Sequence, residues 1–237
     1  MDEAADGREN MRADAALLEA LESGGGEPTL RLYAWSPWTV SLGAHQDPAS
    51  ALDLAALAER GWDWVRRPTG GRAVLHADEI TYAVAAPLAG PFAGGLAETH
   101  RRIGRALARF YAACGVAADL TRPAPAAMLD PRSPRPCFAS PGLAEIESGG
   151  RKLAGSAQRR GRRAFLQHGS LPLGPAHLRL AEVLPLAAAA RERLRASLAA
   201  RAAALGDLVP DLPGRDVLHE RLAAAFAEEF DLAWLDG

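Results

Sequence analysis

Apolar residues recur at steps of three and four over 9–21 (ENMRADAALLEAL), which predicts a first helix, and the SGGGEP stretch at 23–28 ends it. Thr29–Ala34 alternates, with Leu30 and Leu32 on one side of a strand, and a second short strand follows Pro37 over Thr39–Gly43. Pro48–Arg60 carries Leu52, Leu54, Leu57 and Ala58 as a partial stripe and reads as one helix closed by Gly61. Trp62–Arg67 is a strand entering the turn Pro68-Thr69-Gly70-Gly71. Residues 72–85 then read as strand, turn, strand, and 87–95 as a Gly/Pro loop. Leu96, Ile103, Leu107, Phe110 and Tyr111 place a helix over 96–114, with Gly115 as its cap.

Six prolines between Thr121 and Pro141 exclude a helix or a central strand there and predict a long loop. Residues 143–147, 151–158 and 164–172 read as strands separated by SGG and RRGRR turns. From Pro175 the chain is Ala/Leu/Arg-rich and helical, with a break near 206–214. Helix, strands, helix, strands, helix, helix is not a βαβ alternation. It predicts an α+β fold, with a mixed or antiparallel sheet flanked by helices. Strands of similar composition on both sides of the proline-rich stretch argue for one domain across 1–237, with its core at about 27–211 and helical extensions at either end.

Composition narrows the class. Of 237 residues, 49% are hydrophobic and 24% charged, enough apolar surface for a packed core. A net charge of −2 excludes a strongly basic nucleic-acid binder. No apolar run reaches the roughly 18 residues that span a bilayer. The start, MDEAADGREN, has neither the basic head nor the apolar core of a signal peptide, and two cysteines make no disulfide scaffold. The expectation is a cytoplasmic protein without nucleic-acid or membrane partners.

The cations are uneven: Lys152 is the single lysine among 27 basic residues. A coding bias toward arginine replaces lysine wherever charge alone matters, so a surviving lysine points to a site that needs a compact ammonium on a flexible stem; chance survival is the plain alternative. No GxxxxGK[ST], GxGxxG, GxSxG, CxxC or HExxH pattern is present, and no metal site is indicated. Three segments stand out instead: Arg66 to His76 (RRPTGGRAVLH), Arg151 to Gln158 (RKLAGSAQ) and Leu166 to Ser170 (LQHGS). Adjacent glycines in a strand-to-strand turn let backbone N–H groups approach a ligand, although the turn taken alone reads first as a plain hairpin with solvated charges. Two of the three glutamines, Gln158 and Gln167, fall in these segments.

Together, NMRADAALL (10–18), VSLGAHQD (40–47), RRPTGGRAVLHADEITYAV (66–84), CFASP (137–141), GRKLAGSAQRR (150–160) and LQHGSL (166–171) resemble the catalytic-domain family of biotin and lipoate protein ligases, in its octanoyltransferase branch. The resemblance implies a fold like class II aminoacyl-tRNA synthetases and biotin ligases. It implies substrate-binding roles for Arg67, Gly70, Gly71, Arg72 and His76 in the first segment. In the other two it implies them for Gly155, Ser156 and Gln158, and for His168 and Gly169. Lipoate ligases usually carry a third glycine where Arg72 stands here, and the transferases place a nucleophilic cysteine in the loop ahead of the lysine strand, which Cys137 matches. One departure is His76-Ala77-Asp78, where the family often has His followed directly by Asp.

On this resemblance Cys137 and Lys152 are the catalytic pair. The thiolate is the nucleophile, and a nearby ammonium favours it and polarises an acyl carbonyl. The implied reaction moves an octanoyl group from acyl carrier protein, through a thioester on Cys137, to the lysine of a lipoyl domain (glycine cleavage H protein or the E2 subunit of a 2-oxoacid dehydrogenase), with no cofactor. His76 and His168 are candidate bases, and Cys114, on the apolar face of the 96–114 helix, is expected in the core. Six arginine or lysine residues within 151–163, without an acid, suggest steering of acidic carriers or a plain solvated edge. The alternatives are an ATP- and Mg-dependent lipoate ligase, an amidotransferase between lipoylated proteins, and a non-catalytic binding module.

Overall fold

The computed structural model describes residues 4–121 and 145–234. Helix α1 (Gly7–Glu22) begins where the Asp6 carboxylate accepts the Glu9 N–H at 2.8 Å. Its buried face carries Met11, Leu18 and Leu21, but also Asn10 and Asp14. A polar pair one turn apart inside an apolar stripe requires partners from elsewhere in the fold.

Strands β1 (Thr29–Tyr33), β2 (Thr39–Leu42), β3 (Asp63–Arg66), β4 (Val74–His76) and β5 (Glu79–Pro87) follow. The single helix expected over Pro48–Arg60 is two: α2 (Pro48–Ala51) and α3 (Leu54–Glu59). Leu52 is extended, and the Asp53 carboxylate accepts the Ala56 N–H at 3.0 Å, so an aspartate that caps a new helix outcompetes continuation of the old one. Helix α4 (Leu96–Ala113) agrees with its periodicity.

Strands β6 (Asp119–Leu120), β7 (Ile146–Ser148), β8 (Arg151–Lys152), β9 (Gly155–Arg160) and β10 (Ala164–Pro172) complete the sheets. The strand expected over 151–158 is divided. Residues 151–152 pair with β7, while 155–160 pair with β10. Both halves are extended, so the alternation runs through the point at which the chain changes partner.

Four antiparallel strands in the order β1-β5-β10-β9 form the central sheet. On one face Leu32, Tyr82, Val84 and Phe165 pack with Ile103 and Leu107 of α4 and with Leu222 and Phe226 of α6 (Arg215–Phe230). On the other, Tyr33, Ala83, Ala85 and Leu166 pack with Met11 and Leu18 of α1. Burial on both faces is why the middle of β5 (YAVAA) and the start of β10 (AFL) are apolar without alternation, and each buried Leu or Phe contributes about 1.5–3 kcal/mol. A second sheet, β3-β2-β4, is mixed: β2 runs parallel to β3 through the α2–α3 crossover and antiparallel to β4. The third, β6-β7-β8, is antiparallel. This is the expected α+β arrangement of mixed sheets flanked by helices.

The C-terminal part is built in rather than appended. Helix α5 (Ala188–Arg201) seats Leu198 against Val74, and the chain after it forms a parallel bridge between Ala202 and Lys152, with the Ala203 N–H donated to the Lys152 carbonyl at 2.9 Å. Among the described residues no helix is long and apolar enough to cross a membrane.

Candidate active site

A cavity of about 350 Å³, counting the part open to solvent, lies between α1, the β2–β4 sheet and the β9–β10 edge of the central sheet. Met11, Tyr33, Trp35 and Val74 supply carbon to its walls. Six residues singled out from the sequence meet there: Arg67, His76, Gly155, Ser156, His168 and Gly169. Among the described residues, the lining does not include Gly70, Gly71, Arg72, Gln158 or Lys152.

Arg67, 4% exposed, closes its own turn. Its Nε and Nη2 donate to the Gly70 carbonyl at 3.2 and 2.9 Å, and Nη2 also to the Arg72 carbonyl at 2.8 Å. Its Nη1 donates to the Ser41 carbonyl and hydroxyl at 2.9 and 3.0 Å. The guanidinium is thus a clamp on residues 67–72, and the backbone it clamps has a shape few residues can adopt. Gly71 has φ +92, and a Cβ on Gly43 would stand 2.1 Å from the Gly71 carbonyl oxygen. Gly43→Ala is therefore expected to destabilise the fold by about 1–3 kcal/mol and to weaken ligand binding in the cavity, a result read from urea unfolding together with ligand titration.

Both histidines of the cavity are only 6% exposed, and both ring nitrogens of each are engaged. His168 Nδ1 is 2.9 Å from Asp14 Oδ2, and its Nε2 is 2.6 Å from Thr69 Oγ1. His76 Nδ1 is 2.7 Å from Glu79 Oε1, its Nε2 is 2.7 Å from Ser41 Oγ, and Trp35 stacks on its ring at 4.1 Å. Burial pushes the pKa of His168 down, against the pull of Asp14. Asp14 also receives Arg31 Nη1 at 3.0 Å and the Tyr33 hydroxyl at 3.0 Å, while Arg31 Nη2 donates to Asn10 Oδ1 at 2.6 Å. The polar pair of α1 finds its partners here. Glu79 accepts from the Thr81 and Ser170 hydroxyls, and Thr81 Oγ1 in turn accepts the Trp35 indole N–H at 2.7 Å.

Gln158 lies in a second chain behind the cavity. Its amide N–H groups donate to Thr99 Oγ1 at 3.1 Å and to Gln167 Oε1 at 3.0 Å. Gln167 donates to the Tyr82 hydroxyl at 3.0 Å, which lies 2.8 Å from Ser156 Oγ. Burial raises the Tyr82 phenol to about 12, so it stays protonated. Any side chain on Gly169 would strike the Tyr82 ring at 2.6 Å and the Gly155 carbonyl at 2.8 Å, which is why this strand carries glycine at the cavity floor.

Lys152, 5% exposed, extends from β8, and its Nζ donates to Glu145 Oε1 at 2.5 Å. Asp78 does not line the cavity and pairs with Arg215 at 3.1 Å. The arginine-rich β9–β10 turn does meet an acid: the Glu22 carboxylate, from α1, accepts the N–H groups of Arg162, Arg163 and Ala164, and these bonds hold its pKa below the ordinary range. Cys114 is buried at the end of α4, and burial raises its thiol. Cys137 lies outside the described residues.

Sequence reasoning missed Asp14, Glu79 and Glu145. A signal existed for the first: Asn10 and Asp14 interrupt the apolar stripe of α1. None existed for Glu145, whose meeting with Lys152 depends on the β7–β8 hairpin.

Comparison with known proteins places the chain in a family. Residues 6–231 match the model of the lipoyl protein ligase A/B catalytic domain. An octanoyltransferase named LipM from Kyrpidia tusciae is 40% identical over 223 residues, covering 92% of this chain and 81% of its own. One of the same name from Moorella thermoacetica is 38% identical over 230 residues, 96% of this chain and 84% of its own. Among solved structures, a bipartite lipoate protein ligase from Thermoplasma acidophilum, studied with its E2 lipoyl domain, superposes with a TM-score of 0.78 at 21% identity, covering all of this chain and 84% of that one. LipL1 of P. falciparum, in complex with lipoate, gives 0.67 at 18% identity, over 97% of this chain and 61% of that one; likenesses at such identity speak to the fold alone. The chain belongs to the family of lipoyl protein ligase A/B catalytic domains.

Proposed function

We propose that this protein is an octanoyltransferase of protein lipoylation. It takes the octanoyl group from acyl carrier protein onto Cys137 and passes it to the lysine of a lipoyl domain, of the glycine cleavage H protein or of a 2-oxoacid dehydrogenase E2 subunit. In the first half, the Cys137 thiolate attacks the thioester carbonyl, the bond to the carrier's sulfur breaks, and the carrier leaves as a thiol after taking a proton. In the second, the neutral amine of the lysine attacks the enzyme thioester, the carbon–sulfur bond to Cys137 breaks, an amide forms, and the proton of the amine passes to the departing Cys137 sulfur. Lys152 brings positive charge to the developing oxyanion. No cofactor is required by this route, whereas a ligase would consume ATP with Mg.

The observation that carries this reading is the chemistry of the cavity. Arg67, His76 and His168 border it, yet their polar atoms are bonded to the protein. What they leave to a ligand is carbon, together with Met11, Trp35 and Val74. An aliphatic chain suits that surface at about 0.8 kcal/mol per buried CH₂. The relatives named octanoyltransferase, at 38–40% identity, support the same acyl group.

The test is incubation with octanoyl carrier protein and an apo lipoyl domain without ATP, followed by intact mass. The expected product is a lipoyl domain heavier by one octanoyl group. Modification only with free acid and ATP would replace this reading with a ligase. Transfer only from an octanoylated lipoyl domain would make the protein an amidotransferase, and no transfer from any donor would leave a binding module.

A further inference from the structure

Two hydrogen-bonded chains that begin in distant parts of the sequence end on one turn. The first runs from Asp14 in α1 through His168 in β10 to Thr69. The second runs from Glu79 in β5 through His76 in β4 to Ser41 in β2; the Ser41 hydroxyl and carbonyl receive Arg67, which closes the turn on Gly70 and Arg72. We infer that Asp14 and Glu79 are positioning residues: each sets a histidine tautomer, each histidine orients one hydroxyl, and the two hydroxyls hold the turn 67–72 so that Arg67 stands preformed in the wall of the cavity. This role rests on the cavity being the acyl site proposed above.

The direction of the bonds follows from what each group can do. A carboxylate only accepts, so the ring nitrogen facing it carries the proton. In the neutral imidazole the opposite nitrogen is bare, and the hydroxyl beside it donates: Thr69 to His168 Nε2, Ser41 to His76 Nε2. With its proton directed to His76, the Ser41 oxygen presents lone pairs to Arg67 Nη1 at 3.0 Å. Reversing either tautomer would set a bare nitrogen against a carboxylate and turn the hydroxyl away from its present role. The carboxylates are themselves held, Asp14 by Arg31 and Tyr33, Glu79 by Thr81 and Ser170. A buried polar chain rigidifies when every member is satisfied, and here every member is. Neither histidine retains a ring nitrogen for a substrate proton, so both serve the wall and not proton transfer.

Thr69→Val keeps the shape and removes the hydroxyl, while Thr69→Ser keeps the hydroxyl. With octanoyl carrier protein as donor, Thr69→Val is expected to raise KM about tenfold, the loss of a single buried hydrogen bond, with kcat within about threefold and the thermal midpoint within a few degrees. Thr69→Ser is expected to restore the wild-type KM. Asp14→Asn combined with Thr69→Val should cost no more in KM than the larger single change, because one break already interrupts the chain. A wild-type KM in Thr69→Val, a loss that serine does not restore, or additive effects in the pair would overturn the inference. If Asp14→Asn does not fold, the valine and serine variants decide alone. A wild-type enzyme that transfers no octanoyl group from the carrier would instead refute the function, a separate outcome from an active enzyme whose Thr69→Val variant is unaltered.

Discussion

Replacement of Cys137 by alanine is expected to lower octanoyl transfer by at least about a thousandfold and to remove the enzyme-bound acyl group, because the proposed route has no other nucleophile and loss of a covalent catalyst costs on this scale or more. The measurement is single-turnover transfer with intact mass of the enzyme. The wild type should gain one octanoyl group when the acceptor is withheld; Cys137→Ala should not. Cys114→Ala is the control, since Cys114 is 7% exposed, packs in the core cluster of α4 and has its thiol raised by burial. That variant should keep the adduct. An adduct that persists without Cys137 would refute the thioester route.

The second large effect is expected at Lys152. Lys152→Met retains most of the stem and deletes the charge; kcat should fall about 10²–10³-fold, the usual cost of losing one oxyanion donor. Stability should fall too. Lys152 and Glu145 are paired at 2.5 Å with side chains 7% and 10% exposed, and removal of one partner from a buried pair costs about 3 kcal/mol or more. The double variant Lys152→Met with Glu145→Gln separates the two effects. Urea unfolding should show most of the stability regained, while kcat stays low. Lys152→Arg should be slow as well, since a planar fork does not reproduce a single ammonium at the end of a flexible stem. Full turnover in Lys152→Met would remove the lysine from the mechanism.

Much of the sheet is legible in the sequence, for a physical reason. β5 and β10 are buried on both faces and carry apolar residues toward each, as in YAVAA and AFL, and α4 packs one face on the core and keeps the period of a helix. The pattern fails where side-chain chemistry or partner choice decides. Asp53 starts a second helix inside what reads as one, and Leu153–Ala154 carries the chain from one sheet to another without a change in alternation. Of the candidate site, the glycine turn and the LQHGS strand can be picked out because their residue types are unusual together. Asp14 leaves only the trace of a polar residue in the apolar stripe of α1, and Glu79 leaves none, because an acid at a strand start reads as a solvated residue until the fold encloses it.

The bridge between Ala202 and Lys152 has a consequence for biosynthesis. The strand that bears the lysine receives this partner only when a segment some fifty positions later has left the ribosome, after all strands of the central sheet have been made. A nascent chain can therefore pair the strands of its central sheet while this lysine still lacks its final backbone tether, and the tether arrives before helix α6, which covers one face of that sheet.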